Sequence, residues 1–170
     1  AGPLAAAKGW TSQEKGSSMV RVAVDAMGGD FAPSEIVAGA VEAARSGGVQ
    51  IAVVGDPDKI TAELARHDVE GLPIGAVPSE GVIMEGESPA RALRQKPRAS
   101  ILVSTGLVKK GLADASVTMG STGAAMAAAA VVLGVREGIE RPALGGPIVG
   151  LAPRTVVIDL GANVDCRPAQ

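Results

Sequence analysis

The sequence predicts an α/β domain with a mainly parallel sheet and helices on both faces, in three layers. Short Val/Ile/Ala-rich runs recur, each broken by a Gly- or Asp-containing turn and followed by a segment with helical apolar spacing. That rhythm is the signature of crossovers on a parallel sheet. The chain has 170 residues, 46% of them apolar and 20% charged, which suits one domain with a substantial core. No internal repeat or low-complexity linker interrupts it.

Residues 1–18 lack an apolar secretory core and read as a loose, disordered extension ahead of a plausible start at Met19. Val20 to Val24 is β-rich and reads as the first strand, running into the loop Asp25 to Pro33 with two adjacent glycines between two acids. Pro33 fits the first turn of a helix, where its missing N–H is not needed. Ile36, Val37, Ala40, Val41 and Ala44 share one face of that helix, and Gly47-Gly48 stops it. Ile51 to Val54 reads as the second strand, and Gly55-Asp56-Pro57 opens a helix to about Arg66 with Ile60 and Leu64 inward. A third strand is expected over Leu72 to Val77, although Pro73 lacks the ladder donor.

Glu80 to Glu87 reads as a loop. A short helix from Ser88-Pro89 carries Arg91, Arg94 and Lys96, and Pro97 separates it from a longer helix over about 99–110 that ends at Lys109-Lys110-Gly111. Ala113 to Val117 is expected to be a buried, central strand, and the alanine-rich run after it a helix packed closely on the sheet. Arg136 to Pro147 reads as a loop-rich excursion, followed by strands at Ile148 to Leu151 and Thr155 to Leu160. The chain then stops without the helix this pattern leads into, as a chain cut in mid-fold would.

Composition removes several functions. A net charge of −2 leaves no electrostatic footprint for duplex nucleic acid, and one Trp, one Phe and no Tyr leave almost no stacking platform for single strands. His67 and Cys166 are each the only one of their kind, so no zinc site of His and Cys ligands and no internal disulfide can be assembled. His67 lies in a charged run that reads as a solvated helix end, a catalytic base being the alternative, and Cys166 reads as a small buried thiol or else a nucleophile with no base nearby in sequence. No G-x-G-x-x-G is present, and Gly106 to Gly111 lacks the Lys-Ser/Thr of a P-loop.

Three turns remain, each after an apolar run: Asp25 to Asp30, Gly120 to Gly123, and Asp159 to Asn163. In a parallel sheet the C-terminal strand ends share one edge, and ligands bind in the crevice there. Around Gly120-Ser121-Thr122-Gly123, free amides at a helix start offer a seat for a phosphate-like oxyanion, while a plain glycine turn with a hydroxyl cap is the alternative. Asp25 and Asp30 either position a ligand or cap the loop. Arg141 either clamps a phosphate or pairs with Glu137 or Glu140. Arg91, Arg94, Lys96 and Arg98 form the basic cluster, either a solvated face or a dock for an acidic partner.

Five strings occur in order: Val24-Asp25-Ala26-Met27-Gly28-Gly29-Asp30-Phe31-Ala32-Pro33, Val54-Gly55-Asp56, Gly120-Ser121-Thr122-Gly123-Ala124, Gly138-Ile139-Glu140-Arg141-Pro142-Ala143-Leu144 and Asp159-Leu160-Gly161-Ala162-Asn163-Val164-Asp165-Cys166. Together, from about Val20 to Pro168, they closely resemble the bacterial phosphate acyltransferase (PlsX) family of phospholipid synthesis. The family usually has Asn where this chain has Ser121, which keeps a small polar cap, and its members are much longer.

The resemblance implies a fold like phosphotransacetylase and isopropylmalate dehydrogenase, with residues 19–170 as its N-terminal part. It implies transfer of a fatty acyl group from acyl carrier protein to inorganic phosphate; no cofactor is expected and no metal ligands are assigned. It further implies a homodimer, located in the cytoplasm and peripheral on the inner face of the membrane. On that likeness Arg141, Asn163 and Asp159 are the catalytic candidates. Asp25, Gly28, Gly29, Asp30, Gly120, Ser121, Thr122 and Gly123 are candidates for holding phosphate, and Arg91, Arg94 and Lys96 for contacting the carrier protein. The 170-residue chain by itself is expected to be weakly active or inactive, the alternative being a non-catalytic, anion-binding half-domain that needs its missing half.

Overall fold

A computed structural model describes residues 19–140 and 142–160. Strands β1 (Val20–Asp25), β2 (Val49–Gly55), β3 (Ile74–Pro78) and β4 (Ala115–Thr118) form one parallel sheet in the order β3-β2-β1-β4. Helices α1 (Ser34–Ser46) and α2 (Pro57–Leu64) follow β1 and β2; α3 (Pro89–Gln95) and α4 (Ser100–Lys109) lie between β3 and β4. α5 (Thr122–Ala128) continues into a π turn, Ala129–Leu133. The α/β, mainly parallel architecture is the one expected from sequence.

The three layers follow from which side chains each element buries. Val37, Ala40, Val41 and Ala44 of α1 and Ile60 of α2 pack on Ile51 and Val53 on one face of the sheet. On the other, Leu107 of α4 covers Ala23, Ala52, Val54 and Val77. α2 starts where expected because the Asp56 carboxylate accepts from the amides of Asp58 and Lys59, and Pro57 occupies the first turn. Gly47 and Gly48 end α1 at φ +81 and +79, a region that disfavours side chains. Pro73 lies just ahead of β3, where its carbonyl accepts from Ile51 N–H and its missing donor costs nothing.

Three expectations need correction. Among the described strands β4 is neither buried nor central: it lies at the edge of their sheet, Ser116 and Val117 are exposed, and no described strand pairs with its outer side. The alanine-rich helix does not pack on the sheet, because α4 already occupies that face; Ala124 and Ala128 instead join Ala92, Leu93, Ala99 and Ile101 of the α3–α4 layer. Ile148 to Leu151 forms no strand. The short pair is β5 (Gly145–Gly146) against β6 (Val157–Ile158), antiparallel and separate from the main sheet. Ile148 and Leu151 are exposed, so among the described residues their apolar pattern has no layer to bury against.

The edge strand is held to β1 by a fork. Arg21 Nε and Nη2 donate to the two carboxylate oxygens of Asp114 at 3.1 and 2.7 Å, and the Arg21 amide adds a bond of 2.9 Å. The guanidinium bonds, then the amide bond, pull the Asp114 carboxyl down to about 2. A lowered carboxylate pKa stabilises the folded state fully above the ordinary value and loses that contribution as pH falls through the folded value. An NMR pH titration is expected to show Asp114 ionising at about 2, and Arg21→Met to move it up toward 3.8.

Candidate functional site

The strand order reverses between β1 and β4, so their connections leave in opposite directions and open a crevice beyond the strand ends. Asp25 and Thr118, the last residues of these strands, stand side by side in register. Thr118 Oγ1 donates to Asp25 Oδ2 at 2.8 Å and accepts from the Gly120 amide at 3.0 Å, while Asp25 Oδ1 accepts from the Met27 amide at 3.1 Å. Asp25 is 2% exposed, so this buried carboxylate and hydroxyl satisfy one another and lock the two turns together.

The locked turns touch through backbone. A Cβ on Gly28 would stand 2.8 Å from Asp25 Oδ2 and 3.0 Å from Gly120 N and Cα. A Cβ on Gly120 would stand 3.2 Å from Gly28 Cα. Gly29 has φ +113 and lies against Met119. Glycine is thus demanded at these positions by close approach or by conformation.

Beyond this contact lies a cleft of about 630 Å³, within the range that holds small-molecule ligands. Gly120 and Ser121 line one side, and Met27, Gly29, Asp30 and Ala32 of the β1–α1 loop another. Lys59 of α2 and the segment Val82, Ile83, Met84 and Glu85 complete it. Ser121 caps α5, its hydroxyl accepting from Ala124 N–H at 3.4 Å. The amides of Thr122 and Gly123 belong to the first turn, where a helix offers no internal acceptor.

The sequence matches the family described as "Fatty acid synthesis protein" over residues 20–170. The chain belongs to this family. It is 50% identical over 156 residues to a protein of Acaryochloris marina named "Phosphate acyltransferase", covering 91% of this chain and 45% of that one. Proteins with the same name from Desulforamulus reducens (47% over 150 residues, 88% and 45%) and Thermosynechococcus vestitus (50% over 150 residues, 87% and 43%) are similar to it in the same way. The chain spans just under half the length of these relatives.

The predicted site residues of this family member sort into distinct places. Gly29, Asp30, Gly120 and Ser121 line the cleft, with Thr122 and Gly123 following in the first turn of α5. Asp25 does not line it: its carboxylate is occupied in bracing the two strand ends. Gly28 is buried in the backbone contact. A Cβ on Gly123 would make only ordinary contacts, 3.5 Å to Pro89 and 3.8 Å to Ser121, unlike the close backbone approach at Gly120. Asp159 sits on the β5–β6 pair, accepting from Leu144 N–H at 3.1 Å, away from the cleft lining. Arg141, Asn163 and Cys166 lie outside the described residues.

Of the basic cluster, Arg91 and Arg94 are exposed, but Lys96 is turned inward. Its ammonium donates to both Glu87 oxygens at 2.6 and 2.8 Å and to the Val82 carbonyl at 2.9 Å. These bonds, with one from the Met84 amide, lower the Glu87 pKa. Lys96 therefore braces the segment that walls the cleft. Lys59 and the 82–85 segment were not among the sequence candidates. Lys59 carried one signal: a cation in the first turn of a helix opposes the dipole, which suggests a use outside the helix. Among the described residues no group of three or more His, Cys, Asp or Glu could hold a metal, and no helix is long and apolar enough to cross a membrane.

The backbone contact makes a direct forecast. Gly28→Ala is expected to destabilise the fold by about 1–3 kcal/mol, the usual range for overpacking against a rigid neighbour. Gly123→Ala, with room for its methyl, is expected to shift stability by less than about 1 kcal/mol. Urea unfolding of the two variants beside the parent measures both.

Proposed function

We propose that the family domain to which this half contributes transfers a fatty acyl group from a carrier-bound thioester to inorganic phosphate. The observation that carries the reading is the placement of Gly120 and Ser121, at the switch point of the sheet and on the wall of a ligand-sized cleft, with Thr122 and Gly123 next in the chain. The relatives' name, phosphate acyltransferase, supplies the reaction class.

The chemistry suits a site without a nucleophilic side chain. A phosphate oxygen attacks the thioester carbonyl, forming the P–O–C bond through a tetrahedral oxyanion; the C–S bond then breaks and the carrier thiolate takes up a proton. The protein's task is to hold a dianion in line and to stabilise the oxyanion. Orientation can supply about 7–11 kcal/mol at its best, and a preorganised donor about 3–4 kcal/mol. The amides of Thr122 and Gly123, backed by the positive end of the helical run, serve as donors, and Lys59 adds positive charge. Arg141, Asn163 and Asp159 are proposed to complete the charge balance. Exposed Arg91 and Arg94 are the proposed contact with acyl carrier protein. The homodimer, the cytoplasmic location and the peripheral membrane contact belong to the same reading, as does weak turnover by residues 1–170 alone.

Thr122→Pro tests the donor role. The first helical position tolerates proline, and Ser121 already has the extended φ −55, ψ 124 that a following proline requires. The variant should keep its fold and lose one N–H, lowering phosphate affinity about tenfold, as expected for one hydrogen bond to a charged group. Phosphate titration followed by amide NMR reads this, and undiminished affinity would remove the turn from the mechanism. Reversing Arg91 and Arg94 to Glu in the polypeptide of full family length is expected to raise KM for the carrier-bound substrate with kcat little changed.

A further inference from the structure

The two faces of the sheet are covered unequally. Under α4, Ala23, Ala52 and Val54 are fully buried. On the α1 face the register sets Val22 beside Ile51 and Val24 beside Val117. There Val22 and Val24 are only half-buried, and Val117 is 39% exposed. β1 lies between β2 and β4, so its valines are left open because no described helix covers them, and not because β1 is an edge. The opening is an apolar groove of about 320 Å³, floored by these strands and walled by α1. Apart from Asp25 and Thr118, which satisfy each other, Glu35 is the polar residue on its lining. The wall is the flank of α1 that carries Ile36, Gly39 and Ala43; Gly39 and Ala43 are exposed, and a Cβ on Gly39 meets nothing within 4 Å.

We infer that this groove seats an apolar helix from the part of the family domain that lies outside these 170 residues, packed alongside α1 over β1 and β4. The inference rests on membership of the family and not on the acyl-transfer reading. A three-layer fold needs helices over both faces of its sheet, and this stretch of the α1 face has none among the described residues. Small residues on the facing flank let a second helix axis approach to the near end of the usual range of about 8–10 Å. The material to fill the groove exists in the family, since the chain spans 45% of the Acaryochloris marina relative. Among the described residues, exposed large apolar side chains also concentrate from Val117 onward, Val131, Leu133 and Val135 among them, so the same side of the molecule asks for cover. Met119 lines both the groove and the cleft, so the seated helix abuts the site as well.

The test is maleimide labelling of a single thiol in a Cys166→Ser background. Gly39→Cys reports on the groove, and Glu42→Cys, exposed on the same helix but off the groove lining, is the reference. In the 170-residue chain the two should react within about threefold of each other, both thiols being open to solvent. In the polypeptide of full family length Gly39→Cys should react at least about tenfold more slowly while Glu42→Cys keeps its rate, because a thiol beneath a packed helix reacts only when that helix lifts. Gly39→Trp gives a second readout: it should leave the Tm of the 170-residue chain unchanged, where its side chain meets open space, and lower that of the longer polypeptide. Equal reactivity of the two thiols in the longer polypeptide, or a Tm there that Gly39→Trp does not move, would overturn the inference and leave the groove to a small apolar ligand. Protection of Gly39→Cys that grows with protein concentration would overturn it in favour of a second copy of the chain.

Discussion

Everything at the ligand end of the sheet depends on one backbone contact, Gly28 against Gly120, fastened by the buried Asp25–Thr118 hydrogen bond. A carboxylate taken out of water is costly unless its oxygens are satisfied, and here a hydroxyl and a main-chain amide satisfy them. The hydroxyl in turn receives the Gly120 amide, so one chain of bonds sets the end of β1, the end of β4 and the turn ahead of α5. Without side chains at the two glycines, the turns close to within contact distance. Any methyl group there would force them apart.

That closure decides how the neighbouring layers are used. α4 covers the sheet on one face, so α5 packs on helices, burying Ala124 and Ala128 against α3 and α4. The segment after β3 is left to form the opposite wall of the cleft, steadied by Lys96 gripping Glu87 and the Val82 carbonyl. The result is a cleft with Gly120 and Ser121 on one side and the 82–85 segment facing them, Lys59 and Asp30 adding charge.

The elements with strong local signals were legible from sequence. Asp56-Pro57 wrote the start of α2, Gly47-Gly48 the end of α1, and the spacing of Val37, Ala40, Val41 and Ala44 its buried face. Gly29, Asp30, Gly120 and Ser121 could be placed at the site because a parallel sheet gathers the turns after its strands at one edge. Lys59 and Met84 were not legible as cleft residues, since each reads locally as an ordinary solvated position. Asp25 and Lys96 misled in the opposite way: each is a charged residue near the site whose charge is spent within the chain, and only their partners reveal it.

Ile148 and Leu151 mark the same boundary. An apolar alternation predicts a strand only where there is a layer to receive it, and none of the described residues supplies one. The sequence by itself determined the strand–helix alternation and the caps and stops, because these rest on contacts between near neighbours. Only the tertiary structure decided that β4 lies at the edge of the described sheet, that Gly28 and Gly120 touch through backbone, and that three distant methionines line one cleft. Those facts depend on which strands lie side by side, and pairing across 93 residues, as between Asp25 and Thr118, leaves no mark on either local stretch.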